Sequence, residues 1–383
     1  MRVALIGNMN NNFFSLMRYL RDAGVDAELL LFADEINHFL PENDTWDIDK
    51  WKPYIKQTKI RGGALGQYFK MSAADIRKEF EGYDYYIGCG FTPAYFYKAG
   101  MKLDLFTPYC VGIEYTYRIT KTKAVHYLKE KIEAYYQIKG LKHNTKVVGT
   151  IDEESRIKAE KIGVKTQSLP LLMIYNKEQA RGDDEFITAT IQKFNQHYPV
   201  VFSHVSHFPE GSRTWEIKRN DILVKGFADF AKQTDANPLL VLFNYGEAVE
   251  ASKALIAKSR ITDKVLWLPV MSRKKIMRLL EHVHFGGGEF GGAVWGGTGW
   301  EFMAKGVPFF QYVDMPDSVF EANTGMKMPP FFNTNNSAEI SRLLQIYTSD
   351  NGKLTANGQA LKAWFDKEAG QELANSYINI LKS

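Results

Sequence analysis

Cysteine is scarce in this chain. Cys89 and Cys110 are the only two in 383 residues, too few for a disulfide framework, and such usage favours a reducing, cytoplasmic compartment. Long apolar runs are missing as well. No window approaches the ~20 apolar residues that span a bilayer, and the apolar run Met1-Arg-Val-Ala-Leu-Ile-Gly-Asn-Met9 is too short for a signal peptide. A secreted or integral membrane protein is therefore not expected. Neither sign of charge dominates: 48 Lys+Arg against 44 Asp+Glu leave a net charge of +4, too thin for binding nucleic acid by bulk charge. No Cys/His cluster has metal-ligand spacing, so no metal and no cofactor are expected. What is present is ordinary globular composition, 45% apolar and 24% charged, at a length that fits two domains, each able to bury its own core.

Apolar runs alternate with amphipathic stretches, the pattern of an α/β protein with parallel sheets. Strands are expected at Arg2–Ile6, Asp26–Phe32, Asp84–Ile87, Leu103–Thr107 and Lys146–Thr150. The first helix, Phe13–Ala23, places Phe14, Met17 and Leu20 on one face and Arg18 and Arg21 opposite. Ala33–Met71 is aromatic-rich and shows little periodicity, which reads as an insertion or loop. A boundary falls between Leu169 and Glu185, after which βα alternation starts afresh, with strands at Val200–His204, Leu239–Phe243, Lys264–Leu268, His282–Phe285 and Val307–Tyr312. Two βαβ series imply two Rossmann-like domains, 1–172 and 173–355, with a cleft between them; the helical terminus 356–383 is assigned to the first.

The densest chemical signal is Gly286–Phe310, GGGEFGGAVWGGTGWEFMAKGVPFF. Eight glycines between Gly286 and Gly299 are costly to helix or strand, and they read as a loop permitting close backbone approach. A helix expected from Trp300 turns its positive end to that loop, which suits a phosphate. Glu301, placed in its first turn, suits the vicinal hydroxyls of a ribose. Val201–Phe230 carries Arg213, Lys218 and Arg219 before a second helix, where two fixed cations can neutralise a diphosphate. His204 and His207 flank the same strand end.

These segments resemble the donor-site signature of family-4 glycosyltransferases of GT-B fold, E-G-F-G-x-x-x-x-E-A-M-A-x-G-x-P. The match runs without a gap through Trp295, Gly296, Glu301, Met303, Ala304, Gly306 and Pro308. The resemblance implies that Glu301 binds the nucleotide ribose and that Gly296, Gly297 and Thr298 lie at the donor. The family's first Glu falls on Ala293; Glu289, four residues upstream, is the substitute. Lys218-Arg-Asn-Asp221 is similar to the family's K-G-x-D turn, with Arg213 as its partner cation, and Val270 and Met271 would sit near the base. The implied reaction is transfer of a sugar from a nucleotide-diphosphate donor to a glycan or lipid-linked acceptor, retaining and metal-independent. The alternatives are a nucleotide-sugar epimerase or hydrolase on the same fold, or a non-catalytic nucleotide- or sugar-binding protein.

The first half is less explicit. Asn10, Asn11 and Asn12 follow the first strand at the crevice position of an open parallel sheet and offer uncharged donors and acceptors to a sugar. Turn chemistry and helix capping account for them equally well. Glu114, in Tyr109-Cys-Val-Gly-Ile-Glu-Tyr115, is a second candidate for a sugar hydroxyl, and a surface salt bridge is its plain alternative. Aromatics between Trp46 and Tyr68 could stack on sugar rings or pack the insertion on its own domain. Thr122–Lys142 reads as a basic helix bearing Lys121, Lys123, Lys129, Lys131, Lys139 and Lys142, interrupted by Glu130 and Glu133. A solvated face is the first reading and a weak peripheral contact with anionic lipid at the inner face of the membrane the second.

Overall fold

The structure is a computed structural model that describes residues 1–63, 65–109, 112–116, 124–208, 210–212, 216 and 218–383. The chain forms two compact units: Met1–Tyr175 with Phe320–Met326 and Ala369–Ser383, and Asn176–Val319 with Lys327–Glu368. Among the described residues no helix is long and apolar enough to cross a membrane.

The first unit holds seven parallel strands, β1 (Arg2–Ile6), β2 (Asp26–Leu31), β3 (Ile55–Gln57), β4 (Tyr85–Gly88), β5 (Leu103–Phe106), β6 (Thr145–Gly149) and β7 (Lys165–Gln167), in the order β3-β2-β1-β4-β5-β6-β7. Val3, Leu5, Ile6, Leu29 and Ile87 are fully buried, because helices cover both faces of a parallel sheet and its central strands must be apolar on both. The chain winds outward through β2 and β3, then restarts at β4 on the other side of β1. The connections after β1 and β4 therefore diverge and open a crevice at the strands' C-terminal ends. Ala33–Met71 is not featureless: it carries the edge strand β3, with Ile55 in register with Leu29, and several short helices. A three-residue strand is too short to leave a periodicity. Two of its aromatics face inward, Trp51 against Tyr175 and Tyr68 against Phe91, Tyr95 and Tyr136.

Arg18 is also turned the other way from the sequence expectation. It is buried, ion-paired with buried Asp44, and its guanidinium lies 4.0 Å from the Phe14 ring and 4.5 Å from that of Tyr175. A charge can occupy an apolar helix face when its partner and aromatic neighbours replace water.

The second unit holds six parallel strands, β8 (Val200–Ser203), β9 (Leu239–Phe243), β10 (Val265–Leu268), β11 (Phe285–Gly287), β12 (Phe309–Gln311) and β13 (Phe332–Asn333), in the order β10-β9-β8-β11-β12-β13. The winding reverses between β8 and β11, so this sheet has its own crevice there. The helix Asn351–Trp364, assigned from sequence to the first domain from residue 356, packs instead on the helices Gly297–Lys305 and Ser337–Ser349 of the second unit. Gly306 and Gly358 permit that contact: a Cβ on Gly358 would lie 2.4 Å from the Gly306 carbonyl oxygen. The chain rejoins the first unit at Ala369, where the helix Gln371–Lys382 packs on the helix Asn12–Asp22 and on β5.

Two helices of the first unit, Thr92–Ala99 and Ala124–Asn144, cross at Gly140, where a Cβ would lie 2.0 Å from the Pro93 carbonyl oxygen. Gly140→Ala gains up to about 1 kcal/mol of helix propensity, but the overlap is with backbone and outweighs it. We expect a net loss of about 1–3 kcal/mol in urea unfolding. Gly66→Ala, whose added methyl meets nothing within 4 Å, should be neutral or slightly stabilising.

Candidate functional site

The crevice of the second sheet is organised around Glu301. Its helix begins at Gly297, three residues earlier than the sequence reading places it, so Glu301 sits in the second turn and is only 4% exposed. One carboxylate oxygen accepts a hydrogen bond from Arg273 Nε at 3.0 Å, and His204 Nε2 lies 2.6 Å from the other. Burial opposes the charge, but His204 and Arg273 outweigh it and hold the carboxyl below its ordinary range. His204 follows β8, while Arg273 opens the helix Arg273–Leu279 after β10. Sequence reasoning missed this pairing. The available signal was an Arg in the first turn of a helix that directly follows a strand end, where a cation opposes the helix dipole and needs a carboxylate to justify it.

Lys218 and Glu289, proposed separately from sequence, are brought together. The Lys218 ammonium contacts Glu289 Oε1, and the Phe290 N–H donates to the Lys218 carbonyl at 3.3 Å. Glu289 is buried, and Gln311, which sequence reading also missed, fixes it by accepting its N–H at 2.8 Å. Gly296, the N-cap of the Gly297–Lys305 helix, lies beside this pair, since a Cβ there would be 3.4 Å from Glu289 Oε1. Having no side chain, Gly296 leaves the first-turn N–H groups, those of Gly297 and Thr298 among them, uncapped by its own residue. Lys218 thus stands by a helix N-terminus with a carboxylate as its present counter-ion. Arg219 turns to Asp221 at 3.1 Å, and Arg213 lies outside the described residues. Val270 is exposed and Met271 half-buried after β10, and Ala293 accepts a 3.4 Å hydrogen bond from Gln311 through its carbonyl.

Half of the eight glycines between Gly286 and Gly299 have a packing cause rather than a ligand cause. Side chains at Gly286, Gly287 and Gly288 would strike Phe302, Leu223 and Gln311, and one at Gly299 would strike Trp295. Gly292, at φ +91°, is the member of the run with a left-handed backbone. His207 is buried, bonded to Ser252 at 2.8 Å through Nδ1, and burial lowers its pKa to about 4, so it is neutral at pH 7. The tripeptide Asp47-Ile48-Asp49 has D-x-D spacing, but Asp47 caps a short helix and Asp49 pairs with Lys52 at 2.7 Å on the surface. Among the described residues no group of three or more His, Cys, Asp and Glu converges as metal ligands do.

The crevice of the first sheet holds a cavity of about 280 Å³ at the ends of β1, β2, β4 and β5. Phe32, Phe39 and Tyr115 supply apolar wall, and Asp34, Glu35 and Glu114 supply carboxylates. Glu114 is buried rather than at the surface and accepts the Tyr109 N–H at 2.5 Å. The asparagines are placed differently from the sugar-binding reading. Asn11 is buried, its amide receiving Asn8 Nδ2 at 2.8 Å and donating to the His38 carbonyl at 3.1 Å; Asn12 is buried; Asn10 is exposed. Asn8 and Asn11 staple the start of the first helix to the 37–39 turn, which is the turn-chemistry alternative.

Glu35 accepts the Asn8 N–H at 2.7 Å, yet burial raises its pKa to about 7. A raised carboxyl pKa means that the folded state holds its proton longer, so stability falls as pH rises from about 4.5 and the loss is complete above about 7. Glu35→Gln should abolish that loss, worth on the order of 2 kcal/mol. Urea unfolding at pH 5 and pH 8 measures it: the wild type should weaken at pH 8 relative to the variant.

No family model matches this sequence, and no curated protein matches it. Solved structures do match its fold. Anabaena Alr3699/HepE in complex with UDP-glucose is 15% identical with a TM-score of 0.63, covering 99% of this chain and 98% of its own. WaaG, a glycosyltransferase involved in lipopolysaccharide biosynthesis, is 12% identical with a TM-score of 0.58 and 100% coverage of both chains. A glycosyltransferase from Rickettsia africae is 15% identical with a TM-score of 0.61, covering 100% of this chain and 98% of its own. With its two parallel sheets, each reversing once, this chain has the GT-B fold of glycosyltransferases.

Proposed function

We propose that this protein is a glycosyltransferase that moves a sugar from a nucleotide-diphosphate donor to a hydroxyl acceptor, retaining the anomeric configuration and using no metal. The observation that carries the reading is the meeting of Lys218, Glu289 and the uncapped end of the Gly297–Lys305 helix at the reversal point of the second sheet. A diphosphate there would take Lys218 as its cation and the N–H groups of Gly297 and Thr298 as donors, with Arg213 as the second cation. Glu289, released from Lys218, would face the donor sugar. Each oxygen of Glu301 keeps a lone pair beyond those used by Arg273 and His204, which is what a ribose diol needs. Val270 and Met271 would border the base. In the transfer the bond between the anomeric carbon and the phosphate oxygen breaks with its electron pair going to the diphosphate, where Lys218 stabilises the charge; the acceptor hydroxyl oxygen bonds to that carbon on the same face, and the departing phosphate takes the hydroxyl proton. The acceptor is assigned to the first unit's cavity, with Glu114 and Glu35 as hydroxyl-binding groups in place of Asn10–Asn12. The Anabaena protein's complex with UDP-glucose makes a uridine nucleotide the first donor to test.

Incubation with UDP-, GDP- and ADP-glucose, with and without a panel of glycan acceptors, separates the outcomes. Nucleotide release that requires an acceptor is transfer; release without one is hydrolysis; affinity without turnover is binding alone. Lys218→Ala and Glu301→Gln should each lower kcat/KM for the donor at least about tenfold, a loss of ~1.4 kcal/mol of transition-state stabilisation. EDTA should leave turnover unchanged. Full activity in both variants would refute the assignment.

A further inference from the structure

The helix Ala124–Asn144 was read from sequence as a solvated face because Glu130 and Glu133 interrupt its lysines. The structure removes that objection. Glu133 is buried and takes Lys129 at 3.6 Å, and Glu130 is half-buried. Leu128, Lys131, Tyr135, Lys139 and Lys142 follow one another at spacings of three and four and form one outward stripe without a carboxylate. Leu128 is 61% and Tyr135 55% exposed, far more than a helix packed on its own domain requires. Phe69, 53% exposed, extends the apolar surface through Tyr136, whose ring lies 5.7 Å from that of Phe69 and 5.2 Å from that of Tyr135. Among the described residues no ion pair engages Lys131, Lys139 or Lys142. Lys131 and Lys139 instead lie 5.5 and 5.6 Å from the rings of Tyr127 and Tyr135.

We propose that this stripe docks on the surface of an anionic lipid bilayer. Tyrosine rings and a leucine interleaved with lysines suit the headgroup boundary, where the rings sit at the interface and the lysine stems run along apolar surface to reach phosphate. A second copy of this chain fits less well, because an isologous contact would set the lysines of one stripe against those of the other. The inference is independent of the donor chemistry.

The test is co-sedimentation of the full chain with vesicles of phosphatidylcholine alone and with about 30% phosphatidylglycerol, at low and high salt. The protein should bind the anionic vesicles only, and high salt should release it. Neutralising Lys131, Lys139 and Lys142 to Gln should cut partitioning on the order of a hundredfold, about fivefold per charge. Leu128→Ser with Tyr135→Ser, which leaves the charge unchanged, should cut it at least tenfold, while Lys232→Glu on the second unit should not alter it. Circular dichroism confirms that each variant is folded. No binding to anionic vesicles, or binding that either stripe variant leaves intact, overturns the proposal. So does a concentration-dependent dimer that the stripe variants dissolve without any vesicle binding.

Discussion

A carboxylate carried into a protein interior has to meet partners there, and Glu301 meets two from separate elements. Its helix comes after β11, His204 comes from the end of β8, and Arg273 comes from the helix that follows β10. Removing Arg273 would leave a buried charge without its guanidinium, at a cost of several kcal/mol. The three loops that shape the crevice of the second sheet are therefore held by one electrostatic constraint. The neighbouring Lys218–Glu289 contact differs in kind. The Lys218 side chain is 23% exposed against 10% for Glu289, so an incoming anion can reach the lysine from solvent.

The two crevices have opposite electrostatic character. In the second unit a lysine and a helix N-terminus stand together, and the deep carboxylate is already neutralised by its own partners. In the first unit three carboxylates line a cavity whose wall carries no Lys or Arg among the described residues, and burial pushes Glu35 up to about 7. A phosphate gains from the first environment and is repelled by the second; a neutral, hydroxyl-rich ligand finds acceptors in the second. Opposite fields on two copies of one sheet plan supply a physical basis for assigning the two substrates to different units.

The fold was legible where the chain repeats apolar runs of four or more residues. Arg2–Ile6, Leu239–Phe243 and Val200–Ser203 stand where the pattern puts them, because a strand covered on both faces has to be apolar throughout. The edge strands Ile55–Gln57, Lys165–Gln167 and Phe332–Asn333 were not legible, since two or three residues with one face open carry no usable pattern. Side-chain direction was the other blind spot. Arg18 faces inward because Asp44, 26 residues on, waits for it, and nothing local announces a partner at that separation. Asn11 combines both situations: it accepts from Asn8, three residues away, where a local staple and a binding loop look alike in sequence, and it donates to the His38 carbonyl, 27 residues on.

The glycine-rich segment has a different physical cause from the one its composition suggests. Glycine density pointed to Gly286–Gly299, yet four of those glycines are there because Phe302, Leu223, Gln311 and Trp295 occupy the space a side chain would need. The helix Gly297–Lys305 lies that close to β11, and the approach carries Gly296 to within reach of Glu289. Glu289 follows the last residues of β11, is anchored through its own N–H to Gln311 of β12, and reaches Lys218 from the strand end rather than from the loop. A carboxylate fixed by two strands has less freedom than one carried on a glycine loop. Its position beside the helix N-terminus follows from the packing that the glycines allow.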